Sequence, residues 1–164
     1  RYKAVMADKN LIWVSANESG NRIDPGLRFS YALLAPMLAG DHYSIDRERI
    51  YISGFSGGGR VASAVAPQYP GLFKGAIYIC GVNSWGESKP RDMKQVRANR
   101  FVFLTGTEDF NRSETRDIYR EYKRAAVKGI LFMDIEGLAH NIPPVPKLVE
   151  AIDFLDGKMA GEAG

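Results

Sequence analysis

Ile50-Tyr51-Ile52-Ser53-Gly54-Phe55-Ser56-Gly57-Gly58-Gly59-Arg60-Val61-Ala62 decides how this chain folds. Residues 50–54 are rich in β-branched and aromatic side chains and read as a strand. Residues 57–66 are small and apolar, stop before Pro67, and read as a helix. Ser56 stands at the junction. A strand that passes into a helix at one residue needs a sharp, strained turn. Glycines two before and two after the serine, Gly54 and Gly58, let neighbouring backbone approach it closely. Such a turn leaves the serine hydroxyl exposed beyond the strand. The helix start then directs backbone N–H groups and its positive end to the same spot, so Gly57 N–H is placed to receive a developing oxyanion. The stretch Gly57-Gly58-Gly59-Arg60-Val61-Ala62 also matches G-x-G-x-x-A, a dinucleotide-binding turn. That reading requires an acid about 20 residues further on, at the end of the next strand. The next strand ends Ile79-Cys80-Gly81-Val82-Asn83, with no acid.

Working outward, five short runs read as strands: residues 11–16, 50–54, 76–81, 101–105 and 130–135. They are nearly continuous in apolar character, as expected of strands covered on both faces. Helical spacing separates them. Residues 27–39 form one such segment, which Pro36 is expected to kink or shorten. Residues 112–128 place Ile118, Tyr119, Tyr122, Ala125 and Ala126 on one stripe. Asn111 and Glu114 suit a capping pair at its start, and Gly129 suits its end. Residues 145–155 carry Leu148, Ile152 and Leu155 on one face. Alternating strand and helix predicts an α/β fold, a three-layer sandwich around a mainly parallel sheet of about five strands with right-handed crossovers. Ligand sites in such sheets lie beyond the carboxyl ends of the strands.

A serine hydroxyl needs a base to take its proton and an acid to orient that base. Of the two histidines, His42 precedes the serine in the polar loop 40–49 and is expected on the surface. His140 follows the last apolar strand, and the chain order serine, acid, histidine selects it. The acid belongs after the strand 101–105, where Gly106-Thr107-Glu108-Asp109-Phe110 offers Asp109 first and Glu108 second. Either could instead serve as an N-terminal charge on the following helix. Asp117, Asp134 and Glu136 are poorer candidates, lying in a helix, in a strand and at a strand end. Phe55, Asn83, Trp85, Phe110, Leu138 and Ile142 flank the strand ends and are the expected substrate-binding residues, against a plain packing role for each.

The 164 residues suit one domain, with 45% hydrophobic and 25% charged residues. The net charge is +3, with both signs mixed and no basic run longer than a pair, which gives no footing for nucleic acid. No stretch approaches a membrane span of about 18 apolar residues. The single cysteine, Cys80, excludes an intramolecular disulfide. With two separated histidines and that one cysteine, no zinc set is expected, and no cofactor is called for. A chain that starts Arg1-Tyr2-Lys3, without an initiator Met, reads as part of something longer.

The segment Ser44-Ile45-Asp46-Arg47-Glu48-Arg49-Ile50-Tyr51-Ile52-Ser53-Gly54-Phe55-Ser56-Gly57-Gly58-Gly59 resembles the approach to the nucleophile in α/β-hydrolases, most closely the polyhydroxybutyrate-depolymerase-like and feruloyl-esterase-like group. Tyr69-Pro70-Gly71-Leu72-Phe73-Lys74-Gly75, Gly106-Thr107-Glu108-Asp109 and Gly137-Leu138-Ala139-His140 are similar to later stretches of that group. The resemblance runs from about Leu11 to Leu155. It implies a serine esterase that hydrolyses a small-molecule carboxylic ester through an acyl-enzyme on Ser56, with Asp109 and His140 completing the triad. It leans towards a periplasmic or secreted location. It also implies further strands ahead of Leu11, one of which would lead into the loop giving the second oxyanion donor. Without them the sheet would keep an open edge, which predicts self-association. A non-catalytic binding module and a serine peptidase are the alternatives on the same fold.

Overall fold

The computed structural model describes residues 2–86 and 88–159. The elements in order are α1 (Lys3–Asp8), α2 (Pro25–Gly40), a 3-10 turn (Arg47–Arg49), β1 (Tyr51–Phe55), α3 (Gly57–Val65), β2 (Gly75–Ile79), α4 (Met93–Ala98), β3 (Arg100–Gly106), α5 (Arg112–Arg124), β4 (Ile130–Ile135) and α6 (Val145–Leu155). The four strands form one parallel sheet in the order β1-β2-β3-β4. Side chains alternate across it, because successive residues of a strand point to opposite faces. Ala76, Tyr78, Phe101 and Phe103 join Ala62 and Val65 of α3, Val96 of α4, and Ile118, Tyr119 and Tyr122 of α5 on one face. Ile77, Ile79, Val102 and Leu104 join Val5 of α1 and Leu148, Ile152 and Leu155 of α6 on the other. The result is the expected three-layer α/β sandwich. In-register pairs such as Ala76 with Phe101 and Tyr78 with Phe103 keep each face continuous.

The sheet has four strands among the described residues, where five were expected. The run 11–16 is not a strand. Ile12, Trp13 and Val14 are about half exposed there. Apolar β-branched residues favour a strand only where neighbours pack against them. Here the segment runs beside β1 without a ladder. The two share the walls of two open cavities, about 470 and 480 Å³. The outer edge of β1 is therefore unpaired by any described strand.

Two helix boundaries also differ from expectation. α2 runs through Pro36 to Gly40. It begins on Asp24, whose carboxylate accepts from Leu27 N–H at 3.1 Å, with Pro25 at the first helical position. α5 ends at Arg124, short of Gly129. Ala126 adopts φ +60°, and Val127 N–H donates to Tyr122 C=O at 3.1 Å. That is the left-handed closure usually given to glycine, and the burial of Val127 beneath the helix offsets its cost.

Candidate active site

Ser56 sits between β1 and α3 with φ +53° and ψ −116°, a strained conformation for a residue with a side chain. Its N–H donates to Ile79 C=O at 2.7 Å, which ties the turn to the end of β2. Close approach holds it there. A Cβ on Gly54 would stand 2.7 Å from Gly59 N and collide with Gly58, and one on Gly81 would lie 2.9 Å from Ser56 Cα. Gly57 opens α3, so its N–H has no partner within the helix and faces the end where the serine stands.

His140 comes from the loop after β4 and Asp109 from the loop after β3. His140 Nε2 lies 2.9 Å from Ser56 Oγ, and Nδ1 lies 2.8 Å from Asp109 Oδ1. The Asp109 side chain is fully buried, and His140 is partly open to solvent. An ionised carboxylate only accepts hydrogen bonds, so the imidazole proton sits on Nδ1 and Nε2 is left to accept from the serine. Burial pushes the Asp109 carboxyl up, but hydrogen bonds outweigh it and hold the group below its ordinary value. Thr105 Oγ1 donates to Oδ2 at 2.7 Å, and Asn111 N–H donates to Oδ1 at 3.1 Å. The Cys80 thiol also lies against this carboxylate, and burial pushes it up to about 12.

The other candidates sort by what they touch. Glu108 is exposed, and Asp117 pairs with Arg120 on the surface. Asp134 is held by Arg112 and Arg116, Glu136 is exposed, and His42 is exposed as expected. Phe110 stacks on the His140 ring at 4.1 Å and Phe55 meets it at 4.9 Å. Leu138 is half-buried, its carbonyl accepting from Glu108 N–H. Asn83 is exposed but tied down, its Oδ1 accepting from Arg60. Ile142 lines the 480 Å³ cavity together with Phe55. Trp85 belongs to the core rather than to a substrate surface. Its ring packs 4.3 Å from Tyr122, with Nε1–H donating to the Tyr122 hydroxyl at 3.2 Å.

The expected capping pair is spent elsewhere. Asn111 Nδ2 donates to Cys80 C=O at 2.8 Å, and Glu114 forms a two-point pair with Arg60. The first bond ties the loop after β3 to the end of β2, and the second joins α3 to α5. Thr105, Cys80 and Asn111 thus support Asp109 without any signature in the sequence. Cys80, Asp109 and His140 bring three potential metal ligands within 4.8 Å of one another, but two of them are triad partners already bonded together.

The sequence model of the prolyl oligopeptidase family matches residues 33–133, more than half of the chain. The chain belongs to the prolyl oligopeptidase family. Ser56 and Asp109 fall inside the matched region of this family member and His140 lies just beyond it. Solved structures give the same fold at low identity. An uncharacterized protein from Bacillus cereus superposes with a TM-score of 0.72 at 16% identity, over 96% of this chain and 54% of its own. A ferulic acid esterase gives 0.61 at 16%, over 78% and 59%. S-formylglutathione hydrolase from Staphylococcus aureus gives 0.57 at 17%, over 78% and 59%. This prolyl oligopeptidase family chain therefore spans little more than half the length of these relatives in structure. No curated protein matches its sequence. The fold is that of the α/β-hydrolases, and Ser56, His140 and Asp109 stand on it with the geometry of a serine-hydrolase triad at a strained elbow.

Proposed function

We propose that the protein is a serine ester hydrolase of the polyhydroxybutyrate-depolymerase-like and feruloyl-esterase-like kind, acting on a small-molecule carboxylic ester. The observation that carries this is the unbroken hydrogen-bond line from Asp109 through His140 to Ser56 Oγ, with spacings of 2.8 and 2.9 Å. Ser56 Oγ attacks the ester carbonyl while His140 Nε2 takes its proton. The carbonyl oxygen becomes an oxyanion against Gly57 N–H. His140 then gives its proton to the departing alcohol, and a water activated by the same nitrogen releases the acid. Phe55 and Phe110 flank the imidazole and, with Leu138 and Asn83, form the rim that meets substrate. The open edge of β1 supports association with a second copy of the chain.

A peptidase reading is favoured by the family match, since ester and amide cleavage use the same triad. Labelling with a fluorophosphonate probe is the first test. The parent is expected to label, and Ser56→Ala and His140→Ala to lose the label. Label retained by Ser56→Ala would overturn the assignment. Turnover of p-nitrophenyl acyl esters, with none of proline-containing peptides, is the result expected of an esterase, and the reverse would establish the peptidase.

A further inference from the structure

His140 is held in its own plane by two hydrogen bonds, at Nδ1 by Asp109 and at Nε2 by Ser56. Bonds made in the plane of a ring do little against its turning about the line that joins them. The last torsion of a histidine side chain adds little resistance, because its energy well is broad. What meets the imidazole elsewhere is aromatic. Phe110 stacks on it with ring centres 4.1 Å apart and planes 26° from parallel, and Phe55 meets it at 4.9 Å, tilted by 44°.

Phe55 is half-buried at the end of β1, but packing gives no account of Phe110. That residue is 77% exposed, and the imidazole is the one aromatic ring it touches among the described residues. Its backbone is nevertheless fixed. Residues 109–112 form a turn closed by Arg112 N–H donating to Asp109 C=O at 3.0 Å. Within it, Asn111 N–H donates to Asp109 Oδ1 and Asn111 Nδ2 to Cys80 C=O. Phe110 stands between these two anchored residues. One turn thus delivers both the carboxylate that orients the imidazole and the ring laid against its face.

We propose that Phe110 is a positioning residue of the hydrolytic reaction, whose ring keeps the imidazole turned to Ser56 and stabilises the cation that forms there in both half-reactions. The inference rests on the hydrolase reading above. When Ser56 Oγ bonds to the carbonyl carbon, its proton passes to His140 Nε2, and the imidazolium then gives that proton to the departing alcohol. In the second half, water bonds to the acyl carbon, its proton passes to Nε2, and the proton returns to Ser56 Oγ as the acid leaves. His140 is therefore cationic twice, each time at 4.1 Å from the Phe110 ring centre, well inside the reach of about 6 Å for cation–π attraction. An attraction that grows only as charge develops acts on the transition state, and so raises kcat rather than lowering KM.

The test measures the two half-reactions separately on p-nitrophenyl acetate, acylation from the first release of p-nitrophenol and deacylation from the decay of acetylated Ser56 by mass spectrometry. Deacylation follows the departure of the alcohol, so a role exerted through His140 slows both steps. Phe110→Ala is expected to slow each by a similar factor, about 3–30-fold, with the thermal midpoint unchanged because the ring is largely exposed. Phe110→Leu, apolar but without a π face, is expected to fall with Phe110→Ala, and Phe110→Trp to recover most of the rate. Pentafluorophenylalanine placed at position 110 keeps the shape of the ring but reverses the charge of its face, and is expected to slow both steps as well. A loss confined to acylation would make Phe110 a contact for the leaving alcohol and overturn the proposal. Parental rates in Phe110→Ala, in Phe110→Leu or with the fluorinated ring would overturn it too. A folded parent that is neither acylated nor labelled by a fluorophosphonate would overturn the hydrolase reading and, with it, this one.

Discussion

Because the Asp109 carboxylate can only accept hydrogen bonds, it fixes the proton on His140 Nδ1 and keeps Nε2 available to Ser56. An amide in its place would offer Nδ1 a donor as readily as an acceptor, and the imidazole would spend much of its time in the wrong tautomer. Asp109→Asn is therefore expected to lower kcat by about 10⁴-fold with the fold intact by circular dichroism; loss of less than about tenfold would mean that the acid is not Asp109. Cys80 gives a second test at the same scale. Its thiol is fully buried, with the Asp109 charge beside it, and burial first and that charge second push it up to about 12. The thiolate is the reactive form, so the folded protein should be inert to a disulfide reagent at pH 8 and react with one equivalent only after denaturation. Prompt reaction of the native protein would show that the floor of the acid loop opens.

The elbow is held by backbone pressed on backbone, and only a structure shows which glycines bear the pressure. The pattern of glycines around the serine singles out Gly54 and Gly58, but a side chain on Gly58 would stand in open space. The crowded positions are Gly54, Gly59 and Gly81, where an added Cβ would strike main-chain atoms of the facing segment. Gly81→Ala is expected to cost about 1–3 kcal/mol, read as a lowered thermal midpoint, and to lower activity because the atoms it displaces belong to Ser56. Gly58→Ala, helical and uncrowded, is expected to leave the midpoint level or raise it by up to about 1 kcal/mol in equivalent stability. Equal losses in both would show that glycine is needed along the whole turn. The elements themselves were largely legible: β1 to β4, α3 and α6 lie within a residue or two of the expected runs, because period and punctuation mark buried strands and amphipathic helices. The end of α5 was not, since Ala126 takes the left-handed turn only because Val127 is buried beneath it. The Asn111–Glu114 cap failed for a related reason: tertiary partners, Cys80 C=O and Arg60, outbid a local bond. The triad was legible from order and loop position, whereas Thr105 and Cys80, which hold the Asp109 carboxylate, carry no local signal.

Across the molecule, buried and paired carboxylates set the response to acid. Asp109 lies below its ordinary value of 3.8 for the reasons already given. Asp134 is lowered by hydrogen bonds from Arg112 first, with Arg116 adding to them. Burial pushes Asp156 up, but hydrogen bonds from Arg49, Tyr51 and Lys158 bring it below 3.8. Groups depressed in the folded state stabilise it fully above their unfolded value and lose that contribution as pH falls through the folded one. Chemical-denaturation midpoints should therefore hold level down to about pH 5 and fall steeply below about pH 4, with Asp156→Asn flattening the fall. The run 11–16 shows the limit of reading a strand from composition. Its residues have strand character, but among the described residues β1 pairs only with β2, and Ile12, Trp13 and Val14 stay about half exposed. Leu34, Met37 and Leu38 of α2 are further exposed apolar residues. An unpaired edge together with exposed apolar residues favours pairing with another chain. Sedimentation velocity of the 164-residue chain is expected to show concentration-dependent association in the micromolar range. Lysines at Met37 and Leu38, both more than half exposed, should weaken it without lowering the thermal midpoint. A single monomeric species across that range would show that the 11–16 segment shields the edge by itself.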